Sequence, residues 1–120
     1  MPYSPINLAQ KLSLITEHWQ PRTVAHVNGQ ELKLVKFQGK FVWHSHSDTE
    51  EAFLVISGEM EIRFRDGSVF LKPGELFVVP QHKEHITLAT EECHALIIEK
   101  AGTVNTGNAG GEKTAAEQWV

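Results

Sequence analysis

Along most of the chain, hydrophobic residues alternate with polar ones, a period typical of β-strands with one buried face. The clearest case is residues 59–65, in which apolar positions 60, 62 and 64 alternate with charged ones. Residues 5–18 differ, because their apolar positions have roughly helical spacing: Ile6, Leu8, Leu12, Leu14 and Ile15. The pattern therefore predicts one short amphipathic helix followed by a series of strands.

Turn-forming residues divide the region after residue 20 into short segments. Asn28-Gly29 is a strong hairpin signal because both residues tolerate a positive φ, and Pro80 ends a later strand. Nine strands are predicted, at residues 24–27, 31–37, 41–46, 51–56, 60–64, 68–71, 76–79, 85–89 and 94–99. Many short strands with frequent turns are typical of an all-β sandwich or barrel. We predict a small β-barrel with one leading helix.

Three segments follow from this reading. Residues 1–20 form an N-terminal helical segment, and residues 21–100 form the barrel. Residues 101–120 are rich in Gly, Thr, Asn and Ala without a sustained period, which predicts an extended or partly disordered tail. Within that tail, Trp119 is the residue suited to anchor it to the barrel or to a neighbouring subunit.

Composition narrows the function classes. With 120 residues the chain has room for one domain. A net charge of -4 and scattered basic residues argue against nucleic-acid or anionic-membrane partners. The apolar runs are too short to span a bilayer, and the N-terminus lacks the pattern of a secretory signal. The lone Cys93 cannot form an internal disulfide, so we expect a cytoplasmic protein.

Candidate chemistry concentrates in the stretch HSHSDTEE, where His44 and His46 precede two adjacent glutamates. Alone the pair is weak, since seven histidines in 120 positions would give one by chance roughly one time in three. On an extended strand, however, residues i and i+2 point to the same face. A carboxylate at the start of the next strand can add an oxygen ligand. Imidazole with carboxylate suits a divalent metal ion such as Fe, Mn, Ni, Zn or Cu.

The spacing resembles the two motifs of the cupin superfamily. The first, Gly-(x)5-His-x-His-(x)3-4-Glu-(x)6-Gly, is matched from Gly39 to Gly58 with one residue fewer after the first glycine. The second, Gly-(x)5-Pro-x-Gly-(x)2-His-(x)3-Asn, is matched from Gly74 to Ala89, and reads GELFVVPQHKEHITLA. There His82 replaces the motif's second glycine, and Ala89 replaces its asparagine.

This resemblance implies a double-stranded β-helix barrel of the small single-domain type. It also implies four metal ligands: His44, His46, Glu51 and His85. The motif's count of six residues before Gly58 favours Glu51 over Glu50, and strand parity agrees with that choice. His85 lies far along the chain from the other three, so its place in the site rests on the second motif.

The remaining histidines and large apolar residues have plainer interpretations. His18 and His26 are expected to be exposed, and His94 to be a core or rim residue. His82 either contacts a ligand near the barrel mouth or lies on the surface, the plainer role. Trp43, Phe53, Met60, Phe64 and Phe77 are expected in the core or lining a cavity. Cys93 is expected to be a small buried hydrophobe.

A centre of three histidines and one glutamate leaves coordination positions open for a substrate, water or dioxygen. The resemblance therefore implies a metal-dependent enzyme acting on a small molecule, dioxygenase-like or isomerase-like, in which residues with catalytic roles beyond the ligands are not identified. The alternative is a non-catalytic module that binds a small ligand or metal as a sensor or store. A metal-free structural barrel is the third and weakest hypothesis. No Arg or Lys cluster accompanies the motifs, which disfavours sugar phosphates. We expect a homodimer, because open strand edges need cover.

Overall fold

A computed structural model describes residues 3–120 of the chain. It is an all-β fold with one short helix, as the hydrophobic pattern predicts. The helix α1 and the strands β1 to β8 run in the order Leu8–Ser13, Arg22–Val27, Gln30–Lys40, Glu51–Ser57, Met60–Phe64, Gly67–Leu71, Leu76–Val79, His85–Lys100 and Gln118–Trp119.

The helix α1 is shorter than the apolar spacing of residues 5–18 predicts. It begins after Asn7, whose side-chain oxygen accepts a hydrogen bond from the backbone N–H of Gln10 at 3.0 Å. Leu12 and Ile15 are buried against the outer face of the barrel, while Leu14 is exposed. Within residues 3–120, no helix has the length and apolar character needed to cross a membrane.

Two long strands hold the barrel together. Strands β2 and β7 pair antiparallel over nearly their whole lengths, with a register shift between Phe37 and Gly39. The first part of β7 also pairs with β4, and its later part pairs with β3. β7 is therefore shared between two groups of strands. The two strands predicted at residues 85–89 and 94–99 are parts of this one strand, joined through the irregular residues 90–92.

The hairpin at Asn28-Gly29 is confirmed, with φ angles of 50° and 73° at its two residues. Residues 41–46, in contrast, do not form the predicted regular strand. Only His44 makes a strand-like bridge there, and its partner is His85. The backbone around His46 is consequently free of ladder pairing, and it forms a loop at one end of the barrel.

Alternation along the strands builds the core. Inward-facing side chains from both groups of strands pack in one cluster: Val35, Phe37, Phe53, Val55, Met60, Ile62, Leu71, Val79, Ala89, Cys93, Ala95 and Ile97. The predicted cysteine environment is confirmed, because Cys93 is fully buried and burial raises the pKa of its thiol to about 12. The fold is a double-stranded β-helix barrel with a short N-terminal helix.

The segment after residue 100 folds against the barrel rather than extending as a disordered tail. Thr106 is fully buried, and its hydroxyl hydrogen-bonds that of Thr114 at 2.6 Å. The side-chain oxygen of Asn108 accepts a hydrogen bond from the backbone N–H of Ser45 at 2.9 Å. Strand β8 pairs in parallel with β1 and sets Trp119 beside Thr23. Hydrogen bonds from individual polar side chains thus hold this segment in place, and they require no periodic pattern in the sequence.

Candidate metal centre

Four buried side chains converge at one end of the barrel: His44, His46, Glu51 and His85. One ligand-type atom of each lies within 4.8 Å of those of the others. His44 and His46 come from the segment between β2 and β3, while Glu51 and His85 are the first residues of β3 and β7. The structure therefore brings the four sequence-predicted residues together, although 34 positions separate Glu51 from His85.

Backbone hydrogen bonds set the relative positions of the histidines. The N–H of His44 donates to the carbonyl of His85, and the N–H of His85 donates back, both at 2.9 Å. The carbonyl of His46 accepts a hydrogen bond from the N–H of His82 at 2.8 Å. These contacts tie the loop carrying two imidazoles to the segment that carries the third.

Two of the imidazoles have a defined tautomer. Nδ1 of His44 lies 2.8 Å from the carbonyl oxygen of Val42, and Nδ1 of His85 lies 2.9 Å from that of Lys83. A carbonyl oxygen only accepts, so each Nδ1 carries the proton and donates it. Each Nε2 then keeps a lone pair for the centre of the cluster, which is how metal-binding histidines are commonly oriented.

The cluster leaves several buried polar atoms without hydrogen-bond partners. They are Nε2 of His46, Nε2 of His85 and Oε1 of Glu51. Glu51 oxygens lie 3.4 Å from Nε2 of His85 and 3.6 Å from Nε2 of His46. Two ligands each about 2.1 Å from a shared ion would lie roughly 3.0–3.4 Å apart. Unsatisfied buried atoms are costly, so this donor set fits a divalent metal ion.

Electrostatics favours an ionised Glu51 carboxylate and a neutral His44 imidazole. Burial alone would raise the pKa of Glu51, but the imidazoles of His46 and His85 outweigh it and hold that pKa well below its ordinary value. Burial, followed by the neighbouring His85, lowers the pKa of His44 to about 4. Near neutral pH the site therefore presents an anionic oxygen and a neutral nitrogen, the forms that bind a cation.

The shifted pKa of His44 predicts that this residue destabilises the metal-free protein in mild acid. In the unfolded chain His44 takes up a proton near pH 6.5, but in the folded chain only near pH 4. Between these values the unfolded state binds more protons at this residue, so the contribution of His44 to the free energy of unfolding falls by about 2 kcal/mol between pH 7 and pH 4.5. Urea unfolding in EDTA at pH 7 and pH 4.5 measures this loss.

The control for that experiment compares two histidine variants. His44→Asn should lose about 2 kcal/mol less stability than the wild type over this pH range, because Glu99 contributes equally to both proteins. His82→Asn is the control for replacing a histidine outside the cluster, because His82 is exposed. Asparagine also tolerates the left-handed backbone found at residue 82. An equal slope in wild type and His44→Asn would contradict the assignment.

A buried row of charges adjoins the cluster, and sequence reasoning missed it. Glu99 faces Glu31 on β2 and Glu51 on β3, and Nζ of Lys33 lies 3.3 Å from Glu99 and 2.7 Å from Glu31. All four side chains are buried. Three carboxylates against one ammonium leave two formal negative charges, which one divalent cation would neutralise. Without it, burial and the charge of Glu51 raise the pKa of Glu99 well above its ordinary value.

A second group of ligand-type side chains, formed by His26, Glu31 and Glu117, is less suited to a metal. One Glu31 oxygen accepts a hydrogen bond from the N–H of Gly102 at 2.7 Å, and the other lies 2.7 Å from Nζ of Lys33. Both oxygens of its only buried member are therefore engaged. An ammonium beside that carboxylate would also repel a cation.

A cavity reaches the cluster from outside. It is narrow and partly open to solvent. His44, Glu51 and Glu99 lie in its wall. The other lining residues are largely apolar: Trp19, Pro21, Val35, Phe37, Phe41, Phe53, Thr87, Ile97 and Asn105. Trp19 lies outside every periodic segment of the sequence, so no pattern pointed to it.

The structure also places the other histidines considered from the sequence. His18 and His26 are exposed, as predicted, and His94 is half-buried with its Nε2 2.8 Å from Glu92. His82 is exposed and has a φ of 68°. That left-handed conformation favours glycine, the residue that the cupin motif has at this position. Glu50 is exposed, whereas Glu51 is buried in the cluster.

Among the large apolar residues predicted to be internal, Phe53 and Met60 are buried. Trp43, Phe64 and Phe77 are half-buried. The guanidinium of Arg65 lies 3.7 Å from the centre of the Trp43 ring and covers it. Of these five predicted residues, Phe53 is the one that lines the cavity at the cluster.

Gly107, in the C-terminal segment, packs directly against the loop that carries His44 and His46. This close contact predicts the effect of a substitution. Its φ is +54°, and a Cβ there would overlap the carbonyl oxygen of Ser45 and approach Cδ2 of His44 at 3.2 Å. Gly107→Ala should therefore cost about 1–3 kcal/mol of stability and weaken metal binding. Gly110→Ala is the matched control, because Gly110 has a φ of +63° but nothing within 4 Å. Equal midpoints of chemical unfolding for the two variants would count against this contact.

Comparisons with known proteins agree with this fold. The Cupin domain family model (Cupin_2) matches residues 31–99. The crystal structure of a cupin-2 domain containing protein from Shewanella frigidimarina is 47% identical, with a TM-score of 0.78 over 79% of this chain and 93% of that one. Protein NMB1881 from Neisseria meningitidis is 33% identical, with a TM-score of 0.75 over 82% of this chain and 100% of that one.

A curated relative from Bacillus subtilis (strain 168), the uncharacterized protein YdbB, is 33% identical over 66 residues. That match includes 54% of this chain and 58% of the relative. The chain thus spans a little more than half the length of this relative.

Proposed function

The chain belongs to the cupin family, and from that premise we propose that it is a metal-dependent enzyme acting on a small molecule, of the oxygen-using or isomerising type. His44, His46, Glu51 and His85 are the proposed ligands of one divalent ion, drawn from Fe, Mn, Ni, Zn and Cu. The observation that carries the proposal is the set of unpartnered buried atoms on His46, Glu51 and His85, all in one cluster.

The cavity supports a role beyond structural metal binding. A structural site is closed by protein ligands, whereas a catalytic site keeps a position open to a substrate. Here His44 and Glu51 lie in the wall of a cavity that reaches solvent. The bound ion would supply Lewis acidity or a site for an oxygen-containing ligand. Hydrogen bonds from Nδ1–H to the carbonyls of Val42 and Lys83 orient the imidazoles of His44 and His85, so that each Nε2 faces the centre of the cluster.

Glu99 is positioned to assist that chemistry. Its side chain lies in the same cavity wall, and its Oε2 has no hydrogen-bond partner. Oε1 is anchored 3.3 Å from Nζ of Lys33, which fixes the carboxyl group. Glu99 can therefore hold or move a proton at Oε2 beside the proposed metal site.

Oxygen consumption by the iron-loaded protein tests the proposal, with small diketones, thiols and hydroxy acids as substrates. NMR of the same mixtures detects isomerisation. We expect turnover of at least one compound, and its loss in His85→Ala. No turnover combined with clear ligand-induced thermal stabilisation would instead support the alternative, a cupin that binds a small ligand as a sensor or store.

We further propose that the protein is a cytoplasmic homodimer. Leu76 and Val78 on β6 are 56% and 43% exposed, and they continue the apolar outer face formed by Leu54 and Ile56 on β3. An apolar sheet face beside an open strand edge is suited to a second copy of the chain. Light scattering should give twice the chain mass of 13.5 kDa, and Val78→Asp should give the single mass. A wild-type mass near 13.5 kDa would dismiss the dimer.

A further inference from the structure

The lining of the cavity identifies a class of ligand. Building on the proposed metal-dependent function, we infer that the site takes a small ligand with a flat, uncharged apolar body and an oxygen-bearing head that binds the metal. Sugar phosphates and other polyanions are excluded from the same cavity.

Three aromatic rings form one continuous side of the cavity. Trp19 stacks on Phe41 with ring centres 4.8 Å apart and an angle of 20° between the planes. Phe37 lies 4.9 Å from Trp19 on the same side. Phe41 also meets the His44 ring edge-on at 5.5 Å, so the aromatic surface runs directly to the metal cluster. Flat apolar groups pack well against such surfaces.

Trp19, in this aromatic side of the cavity, is held by two hydrogen bonds in an unusual backbone conformation. Trp19 has a φ of 62°, which is unusual for a residue other than glycine. Its backbone N–H donates to the carbonyl of Lys36 at 2.9 Å, and its indole N–H donates to that of Gln38 at 3.1 Å. Strain of this kind persists where surrounding contacts impose it, and it is concentrated at functional sites.

The charges in the cavity oppose anionic ligands. Its charged lining residues within the described chain are Glu51 and Glu99, and no Lys or Arg lines it. Two lysines lie near the cavity, and both are already engaged. Nζ of Lys33 is held by Glu31 and Glu99. Nζ of Lys113 lies 5.6 Å from the Trp19 ring and donates to the carbonyl of Lys40. A phosphate group would therefore lose water and meet two carboxylates, while both neighbouring lysines are already bound to oxygens of the protein.

The experiment compares two hydroxamates that share a metal-binding head and differ in their bodies. Calorimetry of the zinc-loaded protein measures the dissociation constants of benzohydroxamate and acetohydroxamate. Burial of the phenyl ring should make benzohydroxamate roughly 30-fold tighter. Glycerol 3-phosphate should not displace it.

Two phenylalanine variants localise the effect. Phe41→Ala should reduce the benzohydroxamate preference, measured as the ratio of the two dissociation constants within the same variant, by about 10-fold. Phe70→Ala, at a side chain that is 70% exposed on β5, should alter neither affinity. Binding of acetohydroxamate also shows that each variant is folded and contains zinc. The comparison of the two hydroxamates in the wild type does not depend on either variant.

The outcomes separate this inference from the proposed function. If zinc is not retained, the proposed metal centre fails, and the ligand class falls with it. If zinc is retained but the two hydroxamates bind equally, or neither binds, the ligand class is wrong while the metal centre stands. Displacement of benzohydroxamate by glycerol 3-phosphate would also overturn the inference.

Discussion

Replacing His85 with alanine is expected to weaken the binding of a divalent ion by on the order of 100-fold or more. A four-ligand zinc site contributes about 10–16 kcal/mol of binding free energy, so the loss of one ligand removes a few kcal/mol. In the metal-free protein, the same substitution should change the free energy of unfolding by less than it changes the free energy of metal binding. It creates a cavity, but it also removes a buried Nε2 that has no hydrogen-bond partner.

Competition with a chromophoric chelator measures that affinity for Zn²⁺ and Mn²⁺. His94→Ala is the matched control, because His94 lies on the same strand, is half-buried and belongs to no ligand cluster within the described residues. Its metal affinity should equal that of the wild type. Equal affinities in wild type and His85→Ala would remove His85 from the site.

Replacing Lys33 with methionine is expected to lower the free energy of unfolding by about 3 kcal/mol. The methionine fills much of the same space, but it leaves the buried carboxylates of Glu31 and Glu99 without their cation. Breaking a buried ion pair by removing one partner costs several kcal/mol. Urea unfolding at neutral pH measures the loss, with Lys72→Met as the control, because Lys72 is exposed.

The same variant should not lose metal affinity. Removing a positive charge beside Glu99, whose neighbour is Glu51, increases the attraction for a cation. Lys33→Met is therefore predicted to lower stability without lowering metal affinity. His85→Ala is predicted to lower metal affinity with a smaller effect on the stability of the metal-free protein. A loss of metal affinity in Lys33→Met comparable to that in His85→Ala would contradict this division of roles.

The hydrophobic pattern predicted most of the barrel because its strands are short, amphipathic and bounded by turn residues. The motif spacing selected the four converging side chains for a similar reason. Gly58 has a φ of +79°, and a Cβ at that residue would meet Glu92 at 2.5 Å. Because only glycine fits well at residue 58, the motif can be aligned on it. The motif's six intervening residues before Gly58 then select Glu51.

The buried charge row escaped sequence reasoning because charged residues in a strand are normally assigned to its solvent face. Glu31 and Lys33 share strand parity with the buried Val35 and Phe37, and that parity was the available signal. It was obscured by the apolar residues Leu32 and Leu34 on the other face, which lie next to the N-terminal helix cluster. A strand buried on both faces has no clean alternation.

Contacts of the aperiodic segments could not be predicted for a different reason. The C-terminal segment is held by individual bonds, such as Asn108 to Ser45 and Lys113 to the carbonyl of Lys40 at 2.6 Å. Trp19 is likewise placed by hydrogen bonds to β2. Such bonds depend on the folded arrangement of distant residues and leave no local period in the chain.

The central claim is that Glu51, with three histidines, binds one divalent ion. Elemental analysis after exposure to Fe²⁺, Mn²⁺, Ni²⁺, Cu²⁺ and Zn²⁺ and removal of free metal tests it most directly, in wild type, Glu50→Gln and Glu51→Gln. We predict about one ion per chain in wild type and Glu50→Gln, and a marked loss in Glu51→Gln. A wild-type protein that retains none of these ions, or a Glu51→Gln variant that retains as much as the wild type, would contradict the claim.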